Sequence, residues 1–282
     1  GKIYQGTAHI KGGNASVGEA LYTLKDYQYK TFTDLVIDVI ENARVMKKYD
    51  KEDQAEMFDM SVQDLYRYKS IEYIKELDKK IKANPEYITY TKNPLGVNKT
   101  KMDGLIRLNF FDCFGQNKKL QQVYEYVSKN YDPSNKTFAN KQKKYLACLE
   151  YEASLEDERF SILEQCEFEL FYTGRVITKS DSIPAKYAFV TKIENVGKTR
   201  TTANVFIINK GVSTQIKVGS KLYKNVTFEV GDLIEVLEKE VKPKEGYVGG
   251  VWTKSPTERE LWIKQMKMIR RSKMTDGKKE KK

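Results

Sequence analysis

The clearest periodicity in the chain is helical and lies in residues 32–46. Seven apolar residues recur there at helical spacing and form one continuous stripe, which predicts an amphipathic helix. They are Phe32, Leu35, Val36, Val39, Ile40, Ala43 and Met46. Asp34 falls in the first turn, where the positive end of the helix dipole favours a carboxylate. The pattern therefore predicts a helix over 32–46.

Helical patterns recur through the first 172 residues, separated by Asn, Pro and Gly. A first helix is predicted over 16–24, after a Gly-rich turn at 10–14. Ser61 and Asp64 have the spacing of a capping-box variant, before a helical pattern that continues to about residue 81. Asn98 opens a helix to about 108, and further helices are predicted over 118–129 and about 138–172. We therefore expect this part of the chain to be all-α.

From Tyr187 the period drops to two, and β-branched and aromatic residues dominate. Strands are predicted over 186–193, 199–208, 213–218, 232–241 and 246–253, with a small helix at 220–225. Five short strands with an insertion after the third are typical of an OB-fold, which commonly binds oligonucleotides on one face. Another five- or six-stranded barrel or meander is the alternative. Pro256 then opens a predicted helix over 257–271, followed by a basic tail.

Charge is divided unevenly along the chain, whose net value is +11. Residues 170–282 hold 24 basic and 12 acidic residues, whereas residues 1–169 hold 26 and 27. This excess predicts a C-terminal module that binds a polyanion, although a generally lysine-rich composition is the alternative. No apolar run approaches the ~18 residues of a membrane span and no signal peptide is recognisable, so we expect a cytoplasmic protein with no membrane partner.

The sequence offers little catalytic or metal-binding chemistry. Cys113, Cys148 and Cys166 are widely spaced and form no C-x-x-C pair, which argues against zinc and against a disulfide framework. His9 is the sole histidine, so a Ser–His–Asp or Cys–His arrangement would depend on it alone. No phosphate-binding glycine motif of the P-loop or dinucleotide type occurs. We therefore predict no catalytic residue, metal ligand or cofactor in this chain.

A glycine-bearing turn before a helix is the first feature that suggests nucleic-acid binding. Lys11, Gly12, Gly13 and Asn14 precede the helix predicted at 16–24. Backbone N–H groups in such a turn, together with the helix dipole, can hold a phosphate. Most Gly-Gly turns bind nothing, so a purely structural turn is the alternative.

The strand region is the second feature, because basic and aromatic residues interleave there as in sequence-tolerant single-strand binders. The candidate residues are Tyr187, Phe189, Lys192, Lys198, Arg200, Phe206 and Lys217. Alternation places Tyr187 and Phe189 on one face of the first strand, and packing of that face in the barrel core is the alternative to base stacking.

Four segments also follow one another in an informative order. In chain order, residues 4–21 read YQGTAHIKGGNASVGEAL, residues 96–115 read GVNKTKMDGLIRLNFFDCFG, residues 167–174 read EFELFYTG and residues 231–236 read GDLIEV. They resemble, in the same order, segments of the bacterial DNA polymerase III alpha subunit (family C). There the 4–21 segment corresponds to a helix-hairpin-helix and the 231–236 segment lies in the OB domain. Asn14 and Asn109 replace family glycines, and Arg175-Val176 replaces the family's His-Pro.

The resemblance implies an α+β protein, an all-α helix-hairpin-helix domain followed by an OB-fold barrel. The implied domains are 1–130 with an insertion near 47–93, a helical connector at 131–173, the OB-fold at 174–254, and a helix with basic tail at 255–282. The chain would be the non-catalytic DNA-binding portion of a replicative DNA polymerase, a nucleotidyltransferase. Its palm domain, with the Mg-binding aspartates, is expected before Gly1 in the rest of the polymerase chain.

The same resemblance implies which nucleic acid each region would hold. Duplex phosphates would bind Lys11, Gly12, Gly13, Asn14, Asn98, Lys99 and Lys101. The single-stranded template would lie on the OB-fold. A motif of the type Q-x-x-h-F binds the sliding clamp in this family, and Gln54, Met57 and Phe58 fit it. Packing of Met57 and Phe58 in the protein's own core is the alternative.

A second class of function stays open at this point. The basic barrel could belong to a stand-alone interaction or assembly module that binds an acidic partner or RNA.

Overall fold

The computed structural model describes residues 10–11, 15–22, 28–41, 43–47, 59–83, 88–92, 95 and 97–272. The chain divides into two compact units, 1–160 and 161–282. The described elements of the N-terminal unit are α1 (Ala15–Tyr22), α2 (Phe32–Glu41), β1 (Ala43–Lys47), β2 (Asp59–Ser61), α3 (Val62–Tyr68), α4 (Ile71–Ala83), β3 (Ile88–Lys92), α5 (Lys99–Arg107), α6 (Asn117–Asn130) and α7 (Phe138–Ser154). Those of the C-terminal unit are α8 (Ile162–Thr173), β4 (Tyr187–Val196), β5 (Arg200–Ile207), β6 (Val212–Gly219), α9 (Ser220–Asn225), β7 (Leu233–Val248) and β8 (Val251–Arg270).

The N-terminal unit is mixed α and β, so the all-α prediction was wrong. β1 lies between β2 and β3 in an antiparallel sheet. The helix predicted over 32–46 ends at Glu41 because Ala43 and Met46, which extended its apolar stripe, belong to β1. Pairing on both sides satisfies the β1 backbone, and this long-range gain outweighs local helical periodicity.

Helix α2 is the buried centre of the N-terminal unit. Every residue from Phe32 to Val39 is buried, as is Glu41. Glu152, from α7, accepts hydrogen bonds from the backbone N–H groups of Phe32 and Thr33 at 2.9 and 2.8 Å. A carboxylate thus satisfies N–H groups that the first turn of a helix leaves without an intrahelical partner.

The remaining helical predictions hold with small differences. Ser61 accepts from the Asp64 N–H as the helix cap of α3, at 3.1 Å. The pattern predicted to continue to 81 is two helices, α3 and α4, and the run over 138–172 is likewise divided into α7 and α8. In each case the helices are separated by a short non-helical segment that apolar periodicity alone does not reveal.

The C-terminal unit is built on a closed five-stranded barrel with the strand order β4-β5-β6-β8-β7. Neighbouring strands are antiparallel except at the closure, where Ile216–Val218 of β6 pair in parallel with Leu261–Ile263 of β8. The interior is apolar, and α9 follows β6 as the sequence predicts. The buried interior residues are Ala188, Val190, Ala203, Val205, Ile216, Val218, Phe228, Ile234, Ile263 and Met266.

The helix predicted over 257–271 is wrong, because these residues belong to strand β8. Ile263 and Met266 both reach the interior although they are three residues apart. An irregularity in the pairing with β7 skips Lys264, and the extra residue turns a spacing of two into a spacing of three. That spacing resembles a helical repeat, so the bulge explains the misprediction.

A second apolar cluster lies outside the barrel wall, beneath α8. Cys166 of α8 packs there with Phe189, Phe206, Ile208 and Leu233. Strand β4 is therefore buried on both faces near its start, with Ala188 and Val190 inside and Phe189 under the helix.

Candidate nucleic-acid interface

The exposed part of the predicted basic set lies on β4, in the turn between β4 and β5, and at the start of β5. Lys192, Lys198 and Arg200 are all exposed. The Gly197 N–H donates to the Arg200 carbonyl at 2.8 Å, which closes the turn and fixes where Lys198 projects. These three cations lie on or next to neighbouring strands of one barrel edge, so the structure places them where a phosphate chain could run along them.

The aromatic residues of the predicted single-strand site are not exposed in the way that these three cations are. Phe189 and Phe206 are register partners on β4 and β5 and are buried under α8. Tyr187 is half-buried and packs against the same cluster. Burial leaves no ring face of Phe189 or Phe206 for a base, so the core-packing alternative is correct for both, with the core in question lying outside the barrel.

Lys217 also differs from the prediction. Its side chain is 10% exposed and forms an ion pair with Glu260 of β8. Burial acts to raise the pKa of Glu260, but the hydrogen bond and the charge of Lys217 outweigh it, and that pKa lies below its ordinary value. Lys217 is therefore committed to an intramolecular partner and leaves the candidate phosphate-binding set.

Beyond the part that α8 covers, the middle of the outer face of β4, β5 and β6 is polar. Glu194 accepts hydrogen bonds from the Asn204 side chain at 3.0 Å and from the Gln215 side chain at 2.8 Å, which links all three strands. Gln215 lies between two shallow cavities of about 330 and 350 Å³. The first is lined by Arg175, Thr191 and Asn204, among others. The second is lined by three basic and two acidic side chains, among others: Lys217, Lys244, Arg259, Glu258 and Glu260.

The single strand predicted over 246–253 is wrong, because the chain turns at Gly249-Gly250 and these residues belong to the ends of β7 and β8. They are part of a feature that the sequence analysis missed and that we call the arm, residues 241–261. Here β7 and β8 pair with each other from Val241–Leu261 to Val248–Val251. Tyr247 and Trp252 are opposite each other near its end, with ring centroids 5.6 Å apart. The signal was available: Gly249-Gly250 between apolar and aromatic residues is a two-residue hairpin pattern. Both glycines have positive φ, 58° and 86°, as a type I′ turn requires.

In the N-terminal unit, the predicted duplex-binding residues near α5 are accessible. Asn98 caps α5 by accepting from the Lys101 N–H at 3.1 Å. Asn98 and Lys99 are exposed and Lys101 is half-buried. Lys11 is exposed as well.

The turn that follows α5 has the conformation expected of a glycine. Asn109 has φ of 65°, the left-handed region that Asn tolerates best among residues other than Gly. The N–H groups of Asn109 and Phe110 donate to the carbonyls of Ile106 and Leu105, which is a Schellman motif. Asn109 therefore adopts the backbone conformation that glycine most often supplies at the end of a helix.

Other predicted residues lie outside the described part of the chain: Gly12, Gly13, Asn14, Gln54, Met57 and Phe58. Among the residues that are described, no group of three or more His, Cys, Asp or Glu side chains could hold a metal ion. Within the same ranges, no helix combines the length and apolarity needed to cross a membrane. No family model, curated protein or solved structure matches the chain.

Proposed function

We propose that the C-terminal unit is an OB-fold that binds single-stranded nucleic acid on the outer face of β4–β6. The observation that carries this proposal is the strand order β4-β5-β6-β8-β7, closed by a parallel β6–β8 pair, with α9 inserted after the third strand. In OB-folds the second and third strands, with the loops that join strands one to two and four to five, bind oligonucleotides. Those elements correspond here to β5, β6, the β4–β5 turn and the arm.

The distribution of charge supports the same face. Lys192, Lys198 and Arg200 lie exposed at one edge, while Asn204 and Gln215 supply neutral hydrogen-bonding groups beside them. Cations that follow a phosphate chain release its bound counterions, which supplies sequence-independent affinity. The sequence excess of basic residues in 170–282 provides the long-range attraction.

In the wider proposal, this unit is part of the non-catalytic, DNA-holding portion of a replicative DNA polymerase of family C type. The order of the resembling segments supports it, as does the left-handed Asn109 turn between α5 and the helix α6 that follows. The α5 end with Asn98, Lys99 and Lys101 would hold duplex phosphates, and the barrel would hold the single-stranded template. Sliding clamp and the remaining polymerase domains would be its protein partners.

Fluorescence anisotropy with labelled oligo(dT) and a labelled duplex, across a salt series, tests the proposal on the full chain. Lys198→Ala/Arg200→Ala removes two candidate phosphate contacts. At about 0.7 ions released per contact on a single strand, the slope of log K against log salt should fall by about 1.4. Lys143→Ala/Lys144→Ala, at two exposed lysines of α7 in the other unit, removes equal charge as a control.

Two results would count against the proposal. Equal weakening by the two double variants would mean that total charge, and not the barrel face, determines binding. Absence of binding to either probe at low salt would favour the alternative of an interaction module with an acidic protein partner.

A further inference from the structure

The arm extends away from the barrel as a two-stranded ribbon. β7 pairs with β4 at Leu233–Glu235 and β8 pairs with β6 at Leu261–Ile263. Beyond Val241, the described pairing of β7 is with β8, up to the turn at Gly249-Gly250. At about 3.3 Å per residue, the seven steps from Val241 to Val248 span roughly 23 Å. The arm is therefore long enough to contact a bound strand several nucleotides away from the barrel wall.

The eight residues around the turn, 246–253, form the tip of the arm and have the sequence GYVGGVWT. Tyr247 and Trp252 are 65% and 68% exposed, with an angle of 60° between their rings. A cross-strand aromatic pair stabilises a two-stranded ribbon by about 0.2–1 kcal/mol. This small gain in stability does not by itself explain why two such large rings are exposed. Exposed aromatic surface of this kind marks an interaction site.

The charges around the tip favour a polyanionic partner. The tip itself contains no acidic residue, and Lys244 and Lys254 flank it. The acidic side chains beside those lysines are paired with them, Glu258 with Lys244 at 2.9 Å and Glu245 with Lys254 at 4.0 Å. All four side chains are more than half exposed, unlike the nearly buried Lys217–Glu260 pair, so water screens these two pairs and a phosphate can replace either carboxylate. An uncharged aromatic tip between cations suits a strand whose bases stack while its phosphates remain near positive charge.

The arm is also continuous with the face already described. The cavity of about 350 Å³ at its base is lined by Gln215 of the barrel face together with Lys244 and Arg259 of the arm. Glu258 and Glu260 line the same cavity, and each is paired with a lysine. A strand that lies on β5 and β6 can therefore pass this cavity beside Lys244 and Arg259 and reach the tip.

We propose that Tyr247 and Trp252 form a base-stacking pair that holds one or two unpaired bases of the strand bound on the barrel. This inference rests on the proposed function and adds the element that distinguishes a base from a phosphate. The stacking rings belong to the arm. Phe189 and Phe206 are buried and cannot stack on a base.

Tryptophan fluorescence gives a direct readout, since Trp252 and Trp262 are the two tryptophans of the chain. Trp262→Phe leaves Trp252 as the reporter. Titration with oligo(dT) should quench its fluorescence with the same dissociation constant that anisotropy measures. An abasic oligonucleotide of equal length keeps the phosphates and lacks the bases, and it should leave the fluorescence nearly unchanged.

Substitutions test the contribution to affinity. Trp252→Ala and Tyr247→Ala should each weaken oligo(dT) binding about fivefold or more, because stacking on an aromatic ring contributes at least that much per base. Trp252→Phe and Tyr247→Phe, which keep a ring, should lose much less. Val241→Ala, at another exposed apolar residue of the arm, should have no effect.

The two proposals fail in different ways. Normal oligo(dT) binding with unchanged Trp252 fluorescence and an unaffected Trp252→Ala variant would overturn the stacking inference and leave the barrel proposal intact. Equal quenching by the abasic strand would also overturn it. Absence of binding to any oligonucleotide at low salt would overturn both.

Discussion

Lys217 and Glu260 form a nearly buried ion pair beside the parallel junction of β6 and β8 that closes the barrel. Trp262 adds a second contact, since its indole N–H donates to the other carboxylate oxygen of Glu260 at 3.2 Å. Three side chains on two strands thus lie across the one parallel junction of the barrel.

Removal of one member of this pair should destabilise the C-terminal unit. Lys217→Met leaves the Glu260 carboxylate nearly buried without its cation, so we expect a loss of about 2–3 kcal/mol in the free energy of unfolding, somewhat less than for a fully buried pair. Urea denaturation of Lys217→Met, Glu260→Gln and the double variant gives the coupling energy. Additive losses in that cycle would contradict the role given to the pair.

The same pair predicts a pH dependence. Because the folded-state pKa of Glu260 is lowered, its contribution to stability is present at neutral pH. That contribution starts to fall near pH 5, as the unfolded state takes up a proton, and is lost as the pH falls through the folded pKa. Stability curves of Glu260→Gln and the parent chain should therefore converge towards low pH. Parallel curves between pH 7 and pH 3 would contradict this prediction.

Glu194 lies in the middle of the proposed binding face and carries the wrong charge for a phosphate partner. Glu194→Gln removes the charge while keeping an oxygen that can accept from Asn204 or Gln215. We expect oligo(dT) affinity to rise about two- to fivefold at low salt, a gain of up to roughly 1 kcal/mol. Glu150→Gln, an exposed acid of α7 in the other unit, is the charge-matched control and should change affinity little.

The contact from Glu152 to the start of α2 should be important for the N-terminal unit. Glu152→Ala leaves two buried backbone N–H groups, of Phe32 and Thr33, without their acceptor. We expect a loss of about 1–3 kcal/mol, measured by thermal or urea unfolding followed at helical circular dichroism. Glu150→Ala, two residues earlier on the same helix and exposed, should lose less than about 0.5 kcal/mol.

The three cysteines should differ sharply in reactivity. Burial raises the pKa of the Cys148 thiol to about 11 and, with help from Glu169 and Glu167, that of Cys166 to about 12. Cys113 is exposed. A thiol-specific reagent at pH 8 should therefore modify one thiol quickly in the native chain and three after denaturation. Rapid reaction of two or three thiols in native conditions would mean that one core opens readily.

Sequence pattern was informative wherever local chemistry decided the structure. Asn98 and Ser61 initiate helices as predicted, and the period of two located β4, β5, β6 and the first part of β7. Helix α9 lies where a small helix was expected between β6 and β7. Asn109 adopted the left-handed conformation that its position after α5 required. These features depend on a few consecutive residues and the propensities of their side chains.

Pattern was misleading wherever a distant partner decided. Met46 continues an apolar stripe but lies in β1, and Met266 has helical spacing but lies beyond a bulge in β8. The exposed or buried state of Phe189 depended on α8, which covers the outside of the barrel. The domain limit expected at 254 falls inside β8. It would separate the barrel from Leu261–Ile263, the residues that close it by pairing with the distant strand β6.

Closure by β8 also has a consequence while the chain is being synthesised. Ile216 of β6 pairs with Leu261, which the ribosome adds 45 residues later. At about 5–20 residues per second, the free edge of β6 waits several seconds for its partner. During that interval an unpaired strand edge is open to other nascent chains. Efficient production should therefore depend on slow initiation of translation, which keeps neighbouring nascent chains apart, or on a chaperone that shields this edge until β8 has been synthesised.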